Sequence, residues 1–328
     1  MKRIIYILSI LLTGLSVSSC HDIFDEAKPE QNMLIQLKSS IPVTSVMVKS
    51  EGFDYDSQIE GGLGLSFFRW DQGGNTDIKR LQALDGVLEG TPDPSDNWNR
   101  SIHMTPAQYY KDRASQVGFL GFYPRISNEK WVKPNGTTYF TIDAQDRPTL
   151  TFNIDGETDV MVSDFQKGSY EAGINNLTLS HALCKYDIYI YAADQDTKNQ
   201  WGDVENIVLM NLPEQLFVHL PKDITDPSQR VEYSFTSVPD DASKYKPTVI
   251  SADTDLPIGL ANKKYIGSYL GGSPAIGVLG VSVTAKNAES RSPVSIARNF
   301  RPGHAYSIIL RFSSHGVINA DVVVEDWS

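Results

Sequence analysis

The sequence predicts an all-β protein organised as two β-sandwich domains in tandem. Three observations carry that expectation. Several segments alternate apolar and polar residues with period two, the mark of a half-buried strand. Turn residues separate these segments at short intervals, and no long stretch follows the helical period. The chain has 328 residues, which is room for about two domains of roughly 150 residues.

The clearest strand covers residues 306–312. Tyr306, Ile308, Leu310 and Phe312 face one side, and Ser307, Ile309 and Arg311 the other. In residues 182–192, Ala182, Cys184, Tyr186, Ile188 and Ile190 share a face, opposed by Lys185, Asp187, Tyr189 and Tyr191. The last segment puts Ile318, Ala320, Val322 and Val324 inside, with Asn319, Asp321 and Glu325 outside. Shorter candidates lie at residues 33–38, 43–48, 65–70, 117–123, 149–154, 207–210, 231–236 and 275–284. Thr105 as N-cap and Pro106 at the first helical position predict one short helix over residues 105–112. The polar, glycine-containing stretch 168–176 is the expected junction, giving domains at 33–172 and 173–328. Each is large enough to bury about two-thirds of its unfolded surface.

The first nineteen residues read as an address. Met1-Lys2-Arg3 is positive, residues 4–15 are apolar, and small residues lead to Cys20. The run is shorter than a membrane span of ~20 residues and has the anatomy of a secretory signal. Val17-Ser18-Ser19-Cys20 resembles the lipobox of bacterial lipoproteins, in which cleavage precedes the cysteine and lipid is attached to it. Acyl chains contribute ~0.8 kcal/mol per buried CH₂, so lipid on Cys20 would hold the protein to a bilayer. Residues 20–32, with Asp22, Asp25 and Glu26, form an acidic tether that resembles the surface-export signal of Bacteroidetes lipoproteins. No later apolar stretch reaches the length of a span.

Composition removes several function classes. Hydrophobic residues are 41% and charged residues 21%, ordinary values for a folded domain. The formal charge is −11 and the longest basic runs are pairs, which speaks against nucleic acid. Two cysteines are too few for a disulfide scaffold or a usual four-ligand zinc site. No two of the six histidines are spaced i, i+4, and no Walker loop occurs. Gly271-Gly272-Ser273-Pro274-Ala275 lacks the final glycine of a nucleophile elbow and reads as a turn. Cys184 sits on the apolar face of its strand and reads as core; His181 falls on the opposite parity. Asp253-Thr254-Asp255 and the acidic turn at 93–97 complete no calcium loop. Trp70, Trp98, Trp131, Trp201 and Trp327 are scattered, which favours packing over sugar stacking. No catalytic residue, metal site or cofactor is expected.

Four segments, in order, resemble motifs of the fimbrillin family, the lipid-exported pilus subunits of Bacteroidetes. Leu179-Ser180-His181-Ala182-Leu183-Cys184-Lys185 is similar to its "F-x-H-A-L-(A/S)-K" strand. Phe119-Leu120-Gly121-Phe122-Tyr123-Pro124 resembles its aromatic strand, and Asp159-Val160-Met161-Val162-Ser163 its "D-L-M-x-A" segment. Phe300-Arg301-Pro302-Gly303-His304-Ala305-Tyr306, with Trp327, resembles its ending. The resemblance implies two transthyretin-like sandwiches and a structural, adhesive role, with His181 making a structural hydrogen bond. It implies assembly with other fimbrial subunits, head to tail, after a protease removes the N-terminal strand. Met33, Ile35 and Leu37 would lie on that strand. Ile318, Ala320, Val322 and Val324 would lie on a donor strand that fills the next subunit's groove. No arginine lies between Arg3 and Arg69, so Lys49 is the first candidate for the cut and Lys38 the next. The remaining partners are the outer membrane, through the lipid, and a ligand on a host or bacterial surface. The alternative reading is a monomeric surface glycan-binding lipoprotein, with tryptophan and tyrosine on one exposed platform. A secreted hydrolase is a third class, without an evident nucleophile or acid pair.

Overall fold

The computed structural model describes residues 33–40, 63–93, 99–126, 140–236, 248–274, 276–289 and 293–327. The signal segment 1–19, the tether 20–32 with Cys20, the strand expected at 43–48, Lys49, Trp98 and Trp131 lie outside them. The described residues are almost all β. The first half carries β1 (Leu37–Ser40), β2 (Leu63–Asp71), β3 (Gln82–Asp93), β4 (Asn99–Thr105), β5 (Gln116–Tyr123), β6 (Phe140–Ile142), β7 (Pro148–Asn153), β8 (Met161–Ser163) and β9 (Gln166–Ser169). Next come β10 (Ile174–His181), β11 (Cys184–Ala192), helix α1 (Gln195–Trp201), β12 (Val204–Met210), β13 (Gln215–His219) and β14 (Glu232–Phe235). The chain ends with β15 (Thr248–Thr254), β16 (Lys264–Gly271), β17 (Val278–Ala285), β18 (Ala288–Glu289), β19 (Val294–Ala297), β20 (His304–Phe312) and β21 (Ile318–Asp326).

The first sheet closes on itself. Its pairing runs β2-β3-β4-β1-β10-β8-β5 and returns from β5 to β2, with β9 paired to the start of β5. Alternation explains the inside of this ring. Leu63, Leu65 and Phe67 of β2, Val117 and Phe119 of β5, and Leu177 and Leu179 of β10 point inward. Met33, Ile35 and Leu37 join them. Phe67 meets Phe119 edge to face at 6.3 Å between centroids. Gly121 makes room for this ring, because a Cβ there would lie 2.7 Å from Phe67.

The other parity of the same strands is buried too. Phe68 and Trp70 of β2 and Leu120 and Phe122 of β5 pack outward with Leu150, Phe152, Leu216 and Val218. Those partners come from a four-stranded sheet, β14-β13-β7-β6. A third core lies between the sheet β16-β11-β20-β21 and the sheet β15-β12-β17, to which β18 and β19 add. Cys184, Tyr186, Ile188 and Ile190 meet Ile207, Leu209, Val281 and Val283 there, two inner faces forming a sandwich.

Hydrogen bonding crosses position 172/173. The expected junction at 168–176 overlaps β9 and β10, and β10 pairs with β1 and β8 of the ring. Hairpin β13–β14 also follows it, yet β13 pairs with β7.

Two expectations are corrected. Residues 105–112 form no helix. Thr105 ends β4, and the backbone beyond it runs alongside the chain start: Ile35 N–H donates to Gln108 O at 2.8 Å and Tyr110 N–H to Met33 O at 3.0 Å. These extended pairings take the groups a helix would have used. Among the described residues the α-helix is α1 instead. Asp194 caps it by accepting from Thr197 N–H at 2.8 Å, and Gly202, at φ 73°, ends it. The second correction is Val324, which is 40% exposed. Ile318, Ala320 and Val322 pack on the third core, whose cover stops before Val324.

Trp201 is fully buried, lies edge to face on Phe312 at 4.9 Å and donates its indole N–H to Ser313 O at 2.8 Å. Trp201→Ala should cost about 3–5 kcal/mol in denaturant unfolding. A loss under about 1 kcal/mol would contradict this placement.

Candidate assembly site

Strand β1 is a short stave set into the middle of the ring. On one side it pairs antiparallel with β4, Leu37 opposite Ile102 and Lys38 opposite Ser101. On the other it pairs parallel with β10, Leu37 opposite Ile174 and Ser39 opposite Leu177. Met33, Ile35 and Leu37 are 8%, 3% and 1% exposed, so every second side chain fills an interior position. Ser39 is buried and donates its hydroxyl to Leu177 O at 2.6 Å. A closed ring presents no unpaired edge. Without residues 33–40, β4 and β10 would face each other across a slot one strand wide, lined by apolar side chains.

Strand β21 carries the expected donor residues. It pairs with β20 along its whole length, from Ile318 opposite Phe312 to Asp326 opposite His304, and forms the last strand of its sheet. The expected donor residues Ile318, Ala320 and Val322 alternate onto the third core. Val317 and Val323 are exposed beside Val324. Of the expected cleavage candidates, Lys38 lies within β1, and Lys49 falls outside the described residues.

Residues from three of the resembling motifs meet at one point. His181, the last residue of β10, donates from Nδ1 to Asp159 Oδ2 at 2.6 Å. Both residues are buried. Asp159 Oδ1 accepts from Val160 N–H at 2.7 Å, and Ala182 N–H donates to Val160 O at 2.7 Å. The Trp327 ring stacks on the imidazole, 3.9 Å between centroids and 10° from parallel. Trp327 N–H donates to Gly303 O at 3.0 Å, and Gly303 N–H to Leu183 O at 2.8 Å. Gly303 has φ 77°, a conformation that favours glycine. The fourth motif lies alongside through Tyr123, which pairs with Met161 of β8 and whose hydroxyl is pushed above its usual pKa by burial and by the Asp159 and Asp155 carboxylates. Separate as they are in sequence, residues 159, 181, 303 and 327 form one clasp. The sequence marked them as motif members without indicating that they touch.

The remaining candidates are structural where the structure describes them. The Cys184 thiol donates to Arg301 O at 3.2 Å, and burial pushes its pKa to about 11, far from thiolate chemistry at neutral pH. Ser273 donates to Phe300 O at 2.9 Å. Asp255 pairs with Lys198 at 2.9 Å. Trp70 and Trp201 are buried, and Trp327 lies on His181.

One network was not anticipated. His219 on β13 meets Ser234 through Nε2 at 2.7 Å, and Thr149 and Asp143 through Nδ1 at 3.0 and 3.2 Å. The order resembles a hydrolase relay, but Asp143 is already held by Arg147 Nε at 3.0 Å and by the N–H groups of Gln145 and Arg147. Desolvation, reinforced by the Arg147 charge, pushes the His219 pKa below its ordinary value.

The comparisons with known proteins agree with this architecture. A family model described as "Fimbrillin-like" matches residues 54–327. The comparison with curated proteins finds no match. Among solved structures, the fold is similar to a fimbrial protein from Bacteroides vulgatus, with 15% identity, TM-score 0.51, and 90% of this chain and 99% of that one covered. It is also similar to a candidate cell adhesion protein from Bacteroides uniformis, with 14% identity, TM-score 0.55, and 91% and 99% covered. A second candidate cell adhesion protein, from Bacteroides ovatus, matches with 11% identity, TM-score 0.51, and 90% and 98% covered.

Two outcomes follow from the site. Asp159→Ala leaves the buried Nδ1–H of His181 without its carboxylate and should cost about 1.5–3 kcal/mol, read by denaturant unfolding; an unchanged midpoint would contradict the clasp. His219 resists protonation when folded, so the unfolded chain takes up the extra proton first as pH falls below ~6.5. Stability should therefore drop between pH 7 and pH 5, and His219→Gln should lose less Tm over that interval than wild type. An equal loss in both proteins would show that His219 is not the group responsible.

Proposed function

The chain belongs to the fimbrillin-like family, and from that premise we propose that it is a structural subunit or adhesin of a fimbrium that assembles by strand exchange. The observation that carries this reading is the position of β1. It is buried, short, and paired on both edges, so its loss would convert an edgeless ring into an acceptor slot. A strand from a second copy would satisfy the same backbone groups of β4 and β10, with alternate side chains refilling the interior. Strand β21, with Ile318, Ala320 and Val322 in alternation, is the donor this chain offers. A slot on one part of the molecule and a donor on another give a head-to-tail contact, which propagates as a filament.

The remainder of the reading comes from the sequence. Cys20 carries the lipid and fixes the precursor to the outer membrane, with residues 20–32 as a tether. A cut after Lys49 would release all of residues 33–40; a cut after Lys38 would sever β1. The sequence divides the chain into tandem sandwich units at 33–172 and 173–328, a boundary that the pairing of β10 with β1 and of β13 with β7 crosses. Among the described residues no helix is long and apolar enough to cross a membrane, which is compatible with attachment through lipid.

Two measurements test the reading. Intact mass of the protein recovered from cells should show either an acylated chain beginning at Cys20 or a chain lacking residues through Lys49 or Lys38. An unmodified chain beginning elsewhere would remove both the anchor and the maturation step. Limited trypsin treatment of the purified protein should yield an SDS-resistant ladder. A protein that loses its N-terminal strand and stays monomeric would refute strand exchange.

A further inference from the structure

The clasp at His181 connects the two strands that assembly would exchange. Strand β10 is the parallel partner of β1, held to it by backbone pairing and by the buried Ser39–Leu177 hydrogen bond. Its last residue, His181, is three positions beyond Thr178, the partner of Ser40, or roughly 10 Å along an extended strand. His181 carries Trp327 on its ring face, and Trp327 directly follows the last residue of β21. The backbone of Trp327 is held by Gly303, and Gly303 by Leu183. The far end of the donor candidate is therefore fastened to the wall of the acceptor slot.

We propose that the His181–Trp327 stack is a latch that couples occupancy of the β1 position to the docking of β21. With β1 in place, β10 is paired on both edges and presents a fixed imidazole to Trp327. Once β1 is gone, β10 keeps only its short pairing with β8, Leu179 to His181 against Met161 to Ser163. His181 is then held by Asp159 and β8 alone, with the strand behind it unpaired on one edge, and the weakened stack frees β21 from its Trp327 end, where the third core no longer covers it. The two-state element is β10, and both strands bias it, so the coupling must run equally in both directions. The use assigned to the latch rests on the strand-exchange reading: it keeps the donor docked until the acceptor slot is open. The coupling itself belongs to the folded monomer and can be measured there.

Hydrogen exchange of the full chain supplies the test. Trp327→Ala should speed exchange roughly two- to tenfold in residues 323–326, and also in residues 174–178 and 37–40, which lie beyond its stack on His181. Ser39→Ala, at the other end, should speed exchange in residues 37–40 and 174–178 and also in residues 323–326. Trp327→Phe keeps a stacking ring and should stay near wild type, which separates loss of the latch from general unfolding. If each substitution loosens only its own strand, the latch is overturned. Ladder formation is scored separately on the same proteins. Reciprocal loosening without ladders would sink strand exchange and leave the latch standing; ladders with no reciprocal loosening would do the opposite.

Discussion

The rest of the fold depends on the closure of one ring of hydrogen bonds. Every strand in the circuit β2-β3-β4-β1-β10-β8-β5 has neighbours on both sides. Backbone N–H and C=O groups that would be exposed on an open sheet are thereby paired, and the interior is filled from all sides. β8, with three residues, and β1 are its shortest staves. β1 has only four residues, and it takes part in two ladders at once. The residues that lead into it are held by backbone bonds between Ile35 and Gln108 and between Tyr110 and Met33. Under the proposed strand exchange, β1 is the member that is replaced.

The ring also sets the environment of everything else. Because β2 and β5 are buried on both faces, they feed two cores, one inside the ring and one beneath the sheet β14-β13-β7-β6. The second of these cores includes Ala182, Leu183 and Leu270 and takes in Trp327 at its margin. Parts of the chain far apart in sequence are thus tied by packing and by the clasp. The buried Asp159–His181 pair is a costly element to place in a core unless its geometry is good. Here the carboxylate is satisfied by His181 and Val160, and the imidazole has an aromatic plane against it.

Much of this was legible in the sequence, for identifiable reasons. β20 and β11 alternate strongly because one face of each meets the third core, and residues 306–312 and 182–192 were readable as strands from period alone. β3 was harder. Leu84 and Leu88 point inward, but Gly86 stands between them and breaks the apolar series. β10 was hidden by its asparagines, Asn175 and Asn176, and by its position in a stretch that reads as a linker. The mistaken helix at 105–112 had sound local signals in Thr105 and Pro106; pairing with residues 33–35 overrode them. The clasp was half legible. The motifs identify Asp159, His181, Gly303 and Trp327, but contact among residues up to 168 positions apart is a property of the fold.

The central claim is that the β1 position can be filled by a strand of another copy. Disulfide trapping reads this directly. Ser101 lies opposite Lys38 on the wall of the slot. A copy carrying Ser101→Cys is mixed with copies carrying single cysteines along residues 318–324, after removal of the N-terminal strand. The account predicts an intermolecular disulfide between position 101 and the C-terminal strand in assembled material, and none while β1 is present. Filaments that form without that crosslink at any of those positions would contradict it.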